Sequence, residues 1–235
     1  MADTGEATPQ PNQPTRSAGS TWKILLAAIL VIAAGVLLWE EVLEDRIVAK
    51  RLGEVVPGEV YRSGQISPYL IEDVLRNKQI DVVIDFTGIP DSGMTPEQQA
   101  EAQAIAKLGI EGHRFPLAGD GTGNIESYVS ALTVLHQARI DEKQVLMHCA
   151  AGSQRTGAAT GFYRLLFEDW MPDQVIEEMK SYDWHPTKDA ILIDYMNQHM
   201  ATLVARLAEE GVLLRIPETL PVMPGGIQLA DGTAD

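Results

Sequence analysis

The segment VLMHCAAGSQRTGAAT, Val145 to Thr160, restricts the possible folds more than any other stretch of the chain. Val145-Leu146-Met147 is a short apolar run and reads as a buried strand. It delivers His148 and Cys149, the only cysteine among 235 residues. Ala150, Ala151 and Gly152 are small enough for a tight turn. A helix is predicted from Thr156 to Asp169. A strand that turns directly into a helix belongs to an alternating α/β architecture, where ligands bind at the carboxyl ends of the strands.

The remaining pattern agrees with that class. EVVPGEVYRS has apolar residues on both sides of Pro57-Gly58 and predicts a hairpin. Ser67-Pro68 opens a helix to about Asn77. Ile80 to Phe86 is a β-branched run, hence a buried strand. Thr95-Pro96-Glu97-Gln98 carries a capping box for a helix ending near Gly109. His113 to Leu117 reads as an edge strand stopped by Pro116. AGDGTGN, Ala118 to Asn124, is a glycine-rich loop. Ile125 to Ile140 has helical period, Gln144 to His148 is the next strand, and helices follow over Pro172–Tyr182 and Thr187–Glu210. The expected fold is α/β, with a central, mostly parallel sheet flanked by helices, preceded by a single N-terminal transmembrane helix.

That last expectation comes from Ile24 to Trp39, an uncharged run flanked by Trp22-Lys23 and by Glu40-Glu41. As a helix, its 16 residues span roughly 24 Å at ~1.5 Å per residue. Tryptophans suit the two membrane interfaces. A secretory signal would continue into small residues at a cleavage site, whereas this run passes into WEEVLEDRIVAKR. The reading is a single-pass membrane protein held in the lipid bilayer through residues 22–39. The flanking charges leave open on which side the main domain lies. The predicted organisation is a disordered polar tail over 1–21, an anchor and juxtamembrane helix over 22–45, the cysteine-bearing catalytic domain over 46–211, and a loosely attached Pro/Gly-rich tail over 212–235.

The net charge is −15. Arg16 and Lys23 balance Asp3 and Glu6 within residues 1–39, so the whole excess falls on residues 40–235. That balance disfavours nucleic acid as a partner. An anionic substrate must then be held by local groups. The loop after Cys149 supplies them. Backbone N–H groups of small residues at a helix N-terminus form an anion cradle. The same positive end favours a thiolate, whose pKa falls from ~8.5 to ~3.5–7.5 in such places. Arg155 adds a planar fork of donors that matches two phosphate oxygens. Thiolate, cradle and guanidinium together suit nucleophilic attack on phosphorus. The alternative is that Cys149 is a small core hydrophobe. No cysteine–histidine spacing suggests a metal site, so no metal and no cofactor are expected.

His148-Cys149-x5-Arg155-Thr156-Gly157 resembles the HCx5R[ST]G signature of the cysteine-dependent protein tyrosine and dual-specificity phosphatases. Tyr61-Arg62-Ser63-Gly64-Gln65 resembles the YRSGQ segment of bacterial and plant/fungal dual-specificity-like members. The resemblance spans roughly residues 54–205. It implies that Cys149 forms a cysteinyl-phosphate. Arg155 and the loop residues Ala150, Ala151, Gly152, Ser153 and Gln154 would bind the phosphate oxygens. Thr156 would stabilise the thiolate as water releases phosphate, and His148 would orient the loop from behind. The family also needs a general acid on a mobile loop upstream. Asp120, among glycines, is the first candidate; Asp85, at the end of IDVVIDF, is the reserve, and Asp91 a third. A solvated turn aspartate fits Asp120 equally. The family's tryptophan-proline-aspartate triplet is absent.

Ser153 and Gln154 stand where members acting on phosphoinositides often carry lysine and aspartate. That tilts the expected substrate toward a phosphorylated protein, with phosphotyrosine first and phosphoserine or phosphothreonine second, and with a phosphoinositide or inositol phosphate as the alternative. A catalytically silent phosphate-binding module, a rhodanese-like sulfur transferase and an arsenate reductase are further readings. Arg62 is read as an active-site group or a strand-anchoring ion pair. His113 and Arg114 precede the acid loop. Asp183-Trp184-His185 reads as a turn with a packing tryptophan.

Overall fold

Residues 24–38 are apolar apart from one glycine, and they form a helix. In this computed structural model residues 21–38 and 48–226 are described. Most of the expected disordered tail, the juxtamembrane stretch from Trp39 and the last residues from 227 lie outside them. The chain divides into two units, Met1–Glu44 and Asp45–Asp235. In the first, α1 (Thr21–Leu38) has 18 residues and rises about 27 Å. Trp22 and Lys23 fill its first turn. Its apolar part from Ile24 therefore covers only about 22 Å, against a hydrocarbon core of about 30 Å. Among the described residues no helix is long and apolar enough to cross a membrane. This overturns the expected transmembrane helix and the single-pass membrane localisation; contact with a lipid bilayer through residues 22–39 is not shown.

The second unit begins with the hairpin. β1 (Gly53–Val56) and β2 (Val60–Ser63) pair antiparallel around Pro57-Gly58. There follow α2 (Ile71–Asn77), β3 (Val82–Asp85), α3 (Pro96–Leu108) and β4 (Glu111–Arg114). Then come α4 (Ile125–Ile140), β5 (Val145–His148), α5 (Gln154–Phe167), α6 (Pro172–Ser181) and α7 (Ala190–Glu209). The sheet has five strands in the order β1-β2-β5-β3-β4. β5 runs parallel to β2 and β3, and β3 runs parallel to β4. With antiparallel β1 at one edge, the sheet is mixed.

Helices on both faces explain why the strands are apolar at consecutive positions. Val60, Val82, Ile84, Val145 and Met147 face the larger core with Leu132, Phe162, Val175 and Met196 of α4 to α7. Tyr61, Val83 and Leu146 face the smaller core with Leu75 of α2 and Ala104 of α3. Each such side chain contributes about 1.5–3 kcal/mol when fully buried. The Thr95–Gln98 capping box opens α3, and Gly109 ends it at φ +70.

Two expectations shift. β4 starts at Glu111 because pairing with β3 sets its register, Val82 opposite Glu111 and Asp85 opposite Arg114. Among the described residues, part of the expected loose tail over 212–235 packs against the core. Val212, Leu213 and Met223 are buried. Asn197 on α7 grips the Met223 backbone twice, donating to its carbonyl at 3.0 Å and accepting from its N–H at 2.7 Å.

Candidate active site

β5 lies between β2 and β3, with His148 opposite Ser63 on one side and Asp85 on the other. Cys149 leaves this edge at 1% exposure, at the floor of the loop that leads into α5. Three loop carbonyls are taken from outside. The Gln65 N–H donates to Ala150 O at 3.1 Å, Arg51 Nη1 to Ala151 O at 2.7 Å, and Arg62 Nη2 to Gly152 O at 2.9 Å. Carbonyls held outward free the amides to face the sulfur. The Gly152 N–H donates to Cys149 Sγ at 3.1 Å. Gly152 has φ +81, and a Cβ there would come within 2.4 Å of Gly64 N. A Cβ on Gly64 would meet Ala151 O at 2.7 Å. The YRSGQ segment is the backing of the loop, pressed against it without space for a methyl group.

Burial pushes the Cys149 thiol up. The Thr156 hydroxyl and amide, the Arg155 charge and the Gly152 amide outweigh it and hold the pKa below the ordinary thiol value. The Thr156 hydroxyl is fully buried and has no other hydrogen-bond partner. Arg155 Nη1 donates to Phe86 O at 3.2 Å, which ties the guanidinium to the chain just beyond β3, while its buried Nε has no partner. Ser153 is buried and its carbonyl accepts from the Gly157 N–H at 2.8 Å, closing the first turn of α5. Gln154 is half-buried beside it. The structure thus gathers Cys149, Thr156, Arg155 and the Ala150–Gln154 loop in one place.

Asp120 is exposed, and its Oδ1 accepts from the Thr122 N–H at 2.9 Å and hydroxyl at 2.8 Å. Its loop leans on the cysteine loop. At Gly121, φ +87, a Cβ would stand 3.3 Å from the Gln154 carbonyl carbon and 2.7 Å from Leu192. Two tyrosine hydroxyls brace this glycine-rich loop. Tyr128 donates to Gly121 O at 2.6 Å and Tyr195 to Gly123 O at 3.1 Å. Tyr128 is fully buried, which with Tyr195 raises its pKa well above the usual phenol; Cys149, Arg155 and Asp120 all act on it in smaller measure.

Asp85 has a different setting. It is 2% exposed and accepts from the Thr87 N–H at 2.7 Å, the Thr87 hydroxyl at 2.8 Å and Arg114 Nε at 2.8 Å. Its oxygens are committed to holding the chain after β3. Asp91 is exposed in a turn before α3. Behind the cysteine, His148 Nε2 stands 2.8 Å from Glu101 Oε2 and Nδ1 3.9 Å from Asp85 Oδ1. Ligand atoms of Asp85, Glu101 and His148 lie within 4.8 Å of one another. Arg114 and a protonated His148 already neutralise the two carboxylates, which disfavours a cation there. Burial works against that protonation, but Glu101, and then Asp85 and Cys149, raise the His148 pKa from 6.5 to about 9.

A pKa raised on folding contributes stability that is complete below the unfolded value of 6.5 and is lost as pH rises through about 9. Urea unfolding of Cys149→Ser should therefore show stability falling across that window, by something on the order of 2 kcal/mol. The serine background removes the sulfur, whose depressed pKa acts in the opposite sense. Glu101→Gln should flatten the decline; an equal slope with and without Glu101 would assign it to other groups.

Arg51 and Glu101 escaped the sequence reading as site residues. Arg51 precedes β1 and has an ion pair with Asp183, Nε to Oδ2 at 2.9 Å, besides holding Ala151 O. Nothing local marks it except its basic charge. Glu101 sits in an ordinary-looking helical stretch; only its 3% exposure reveals it. Asp183-Trp184-His185 is a turn, with Trp184 buried and its Nε1 donating to Asp189 O at 3.3 Å. His113 pairs with Glu111 at 2.7 Å, away from the loop.

Fold and sequence comparison point to one class: the chain has the fold of solved phosphatase structures and is similar in sequence to a dual specificity phosphatase. Among individual proteins it is similar to the dual specificity protein phosphatase TpbA of Pseudomonas aeruginosa (strain UCBPP-PA14). The two are 28% identical over 109 residues, 46% of this chain and 44% of TpbA. The match thus spans less than half the length of that relative. The crystal structure of P. aeruginosa TpbA superposes with a TM-score of 0.50 at 23% identity, covering 70% of this chain and 99% of that one. The core catalytic domain of the PP-IP phosphatase SIW14 from S. cerevisiae, in complex with citrate, gives 0.52 at 15% identity, covering 72% and 97%. No family model matches the chain.

Proposed function

We propose that this chain hydrolyses phosphate monoesters on proteins, phosphotyrosine foremost and phosphoserine or phosphothreonine with it, through a cysteinyl-phosphate. The observation that carries this reading is the loop around Cys149, whose carbonyls at Ala150, Ala151 and Gly152 are all held outward by external donors. The Cys149 thiolate attacks phosphorus as the bond to the leaving oxygen breaks. Arg155 and the loop amides take the charge on the three remaining oxygens. Asp120 as a carboxylic acid gives its proton to the leaving oxygen. Water then attacks phosphorus and gives a proton to the Asp120 carboxylate. The S–P bond breaks, and the Thr156 hydroxyl donates to the departing thiolate. His148 stays behind the loop and sets its orientation. The chain's own groups complete the reaction with no cofactor.

Protein substrates are favoured by the uncharged Ser153 and Gln154 within the loop, the net charge of −15 and the relationship to TpbA. SIW14, a PP-IP phosphatase by name, shares only the fold, so inositol phosphates form the comparison arm of the test. An aryl-phosphate assay with the full chain should show turnover, and Arg155→Lys should lower it about 10²–10³-fold, because an ammonium cannot bridge two oxygens. Phosphotyrosyl peptides should then be better substrates than inositol phosphates. Saturable phosphopeptide binding with no turnover would instead make the chain a silent phosphate-binding module.

A further inference from the structure

Arg62, left between two readings by the sequence, has neither role expected of it. It lies on β2, opposite Gly53 of β1 and Met147 of β5, and its exposure is 0%. It does not reach out of the loop as Arg155 does. Nη2 donates to Gly152 O at 2.9 Å, while Nε and Nη1 are buried with no hydrogen-bond partner. The guanidinium carbon stands 3.7 Å from the centre of the Tyr182 ring. Gly157, in the first turn of α5, is its neighbour: a Cβ built there would lie in ordinary contact, 3.8 Å from Nη2. Orphaned N–H groups on a buried cation are costly, and a packed apolar side chain would fit a purely structural position better.

The charges facing Arg62 are few. Glu178 and Tyr182 come from α6 and the turn beyond it, Cys149 from the loop, and Arg164 from α5. Glu178 is already engaged by Arg164 at 2.7 Å. Burial pulls the Arg62 pKa down to about 10 against the pull of Glu178, Tyr182 and Cys149, so it stays charged at neutral pH. Its positive charge is therefore answered only in part before the sulfur ionises.

We propose that Arg62 is a positioning residue of this site: from strand β2, behind the cysteine loop, it fixes the Gly152 carbonyl and sets a second permanent positive charge behind the Cys149 sulfur, without touching substrate. Arg155 is the cation on the substrate side; Arg62 is the cation on the protein side. The kinetic consequence rests on the reading of Cys149 as nucleophile. The geometry does not, so the two can fail separately.

Cys149 is the only cysteine, so alkylation by neutral iodoacetamide as a function of pH reports its ionisation alone. The groups that bear on the midpoint are the Thr156 hydroxyl and amide, Arg155, the Gly152 amide, and the titratable or charged His148, Tyr128 and Arg62. Arg62→Gln should raise the alkylation midpoint by about one pH unit. Arg62→Lys keeps the charge and loses the fork. It should keep the midpoint but need about tenfold more inorganic phosphate to protect Cys149 from alkylation. A cooperatively melting Arg62→Gln with an unchanged midpoint would overturn the proposal. If Arg62→Gln does not fold, Arg62→Lys decides: wild-type protection by phosphate overturns it, and weakened protection with the midpoint kept supports it. These readouts need no turnover, and absence of turnover in the wild type would count against the phosphatase reading alone.

Discussion

Cys149→Ser should abolish aryl-phosphate turnover, by about 10⁴-fold or more, while the protein folds and melts as the wild type does. Losing a nucleophile that works as one unit with its surroundings removes most of the rate at a single stroke. The side chain is 1% exposed and the exchange changes little volume, so packing is nearly conserved. What changes is the ability to ionise. The Gly152 and Thr156 amides and the Arg155 charge lower a thiol that starts close to neutrality. The same donors cannot ionise a hydroxyl, whose pKa lies far higher. The cradle itself survives, since its carbonyls are held by Gln65, Arg51 and Arg62 and not by the sulfur. The serine protein should therefore still bind a phosphotyrosyl peptide. Turnover in Cys149→Ser close to the wild-type rate would remove the sulfur from the chemistry.

The second large effect is expected at Asp120, and it depends on the substrate. Asp120→Asn should slow poor leaving groups such as alkyl or unactivated phenyl phosphates by about 10²–10⁴-fold, the usual worth of general acid catalysis. With a nitrophenolate, which leaves without a proton, the loss should be far smaller. Gly121 packs on Gln154 and the tyrosines hold the Gly121 and Gly123 carbonyls, so the backbone that carries Asp120 is braced next to the cysteine loop. An equal loss with both leaving groups would mean that the proton comes from another group. Asp85 is a poor replacement, because its oxygens already accept from Thr87 and pair with Arg114.

Much of this was legible in the chain. The strand, loop and helix around Cys149 follow from an apolar run, small residues and a helix former in sequence. The Thr95 cap, the hairpin at Pro57-Gly58 and helix α4 were equally readable, because each depends on local chemistry. The anchor reading failed because apolar character alone does not set length: α1 has 18 residues, its apolar part begins only at Ile24, and no described helix is long and apolar enough to span a bilayer. The contacts that shape the site were hidden for another reason. Arg51 meets Ala151 at 100 residues' separation and Arg62 meets Gly152 at 90. Glu101 reaches His148 only because α3 and β5 are brought together by the fold. No local periodicity encodes such pairs. The pinning of the Asp120 loop was likewise invisible, since glycines signal freedom and the restraining hydroxyls lie on α4 and α7.

The most direct test is to titrate the wild-type sulfur by the pH dependence of its alkylation. The midpoint should fall clearly below the ~8.5 of a free cysteine and rise when Arg155 is replaced. A midpoint at or above that value would show a buried, protonated thiol, and the nucleophile proposed here would not exist.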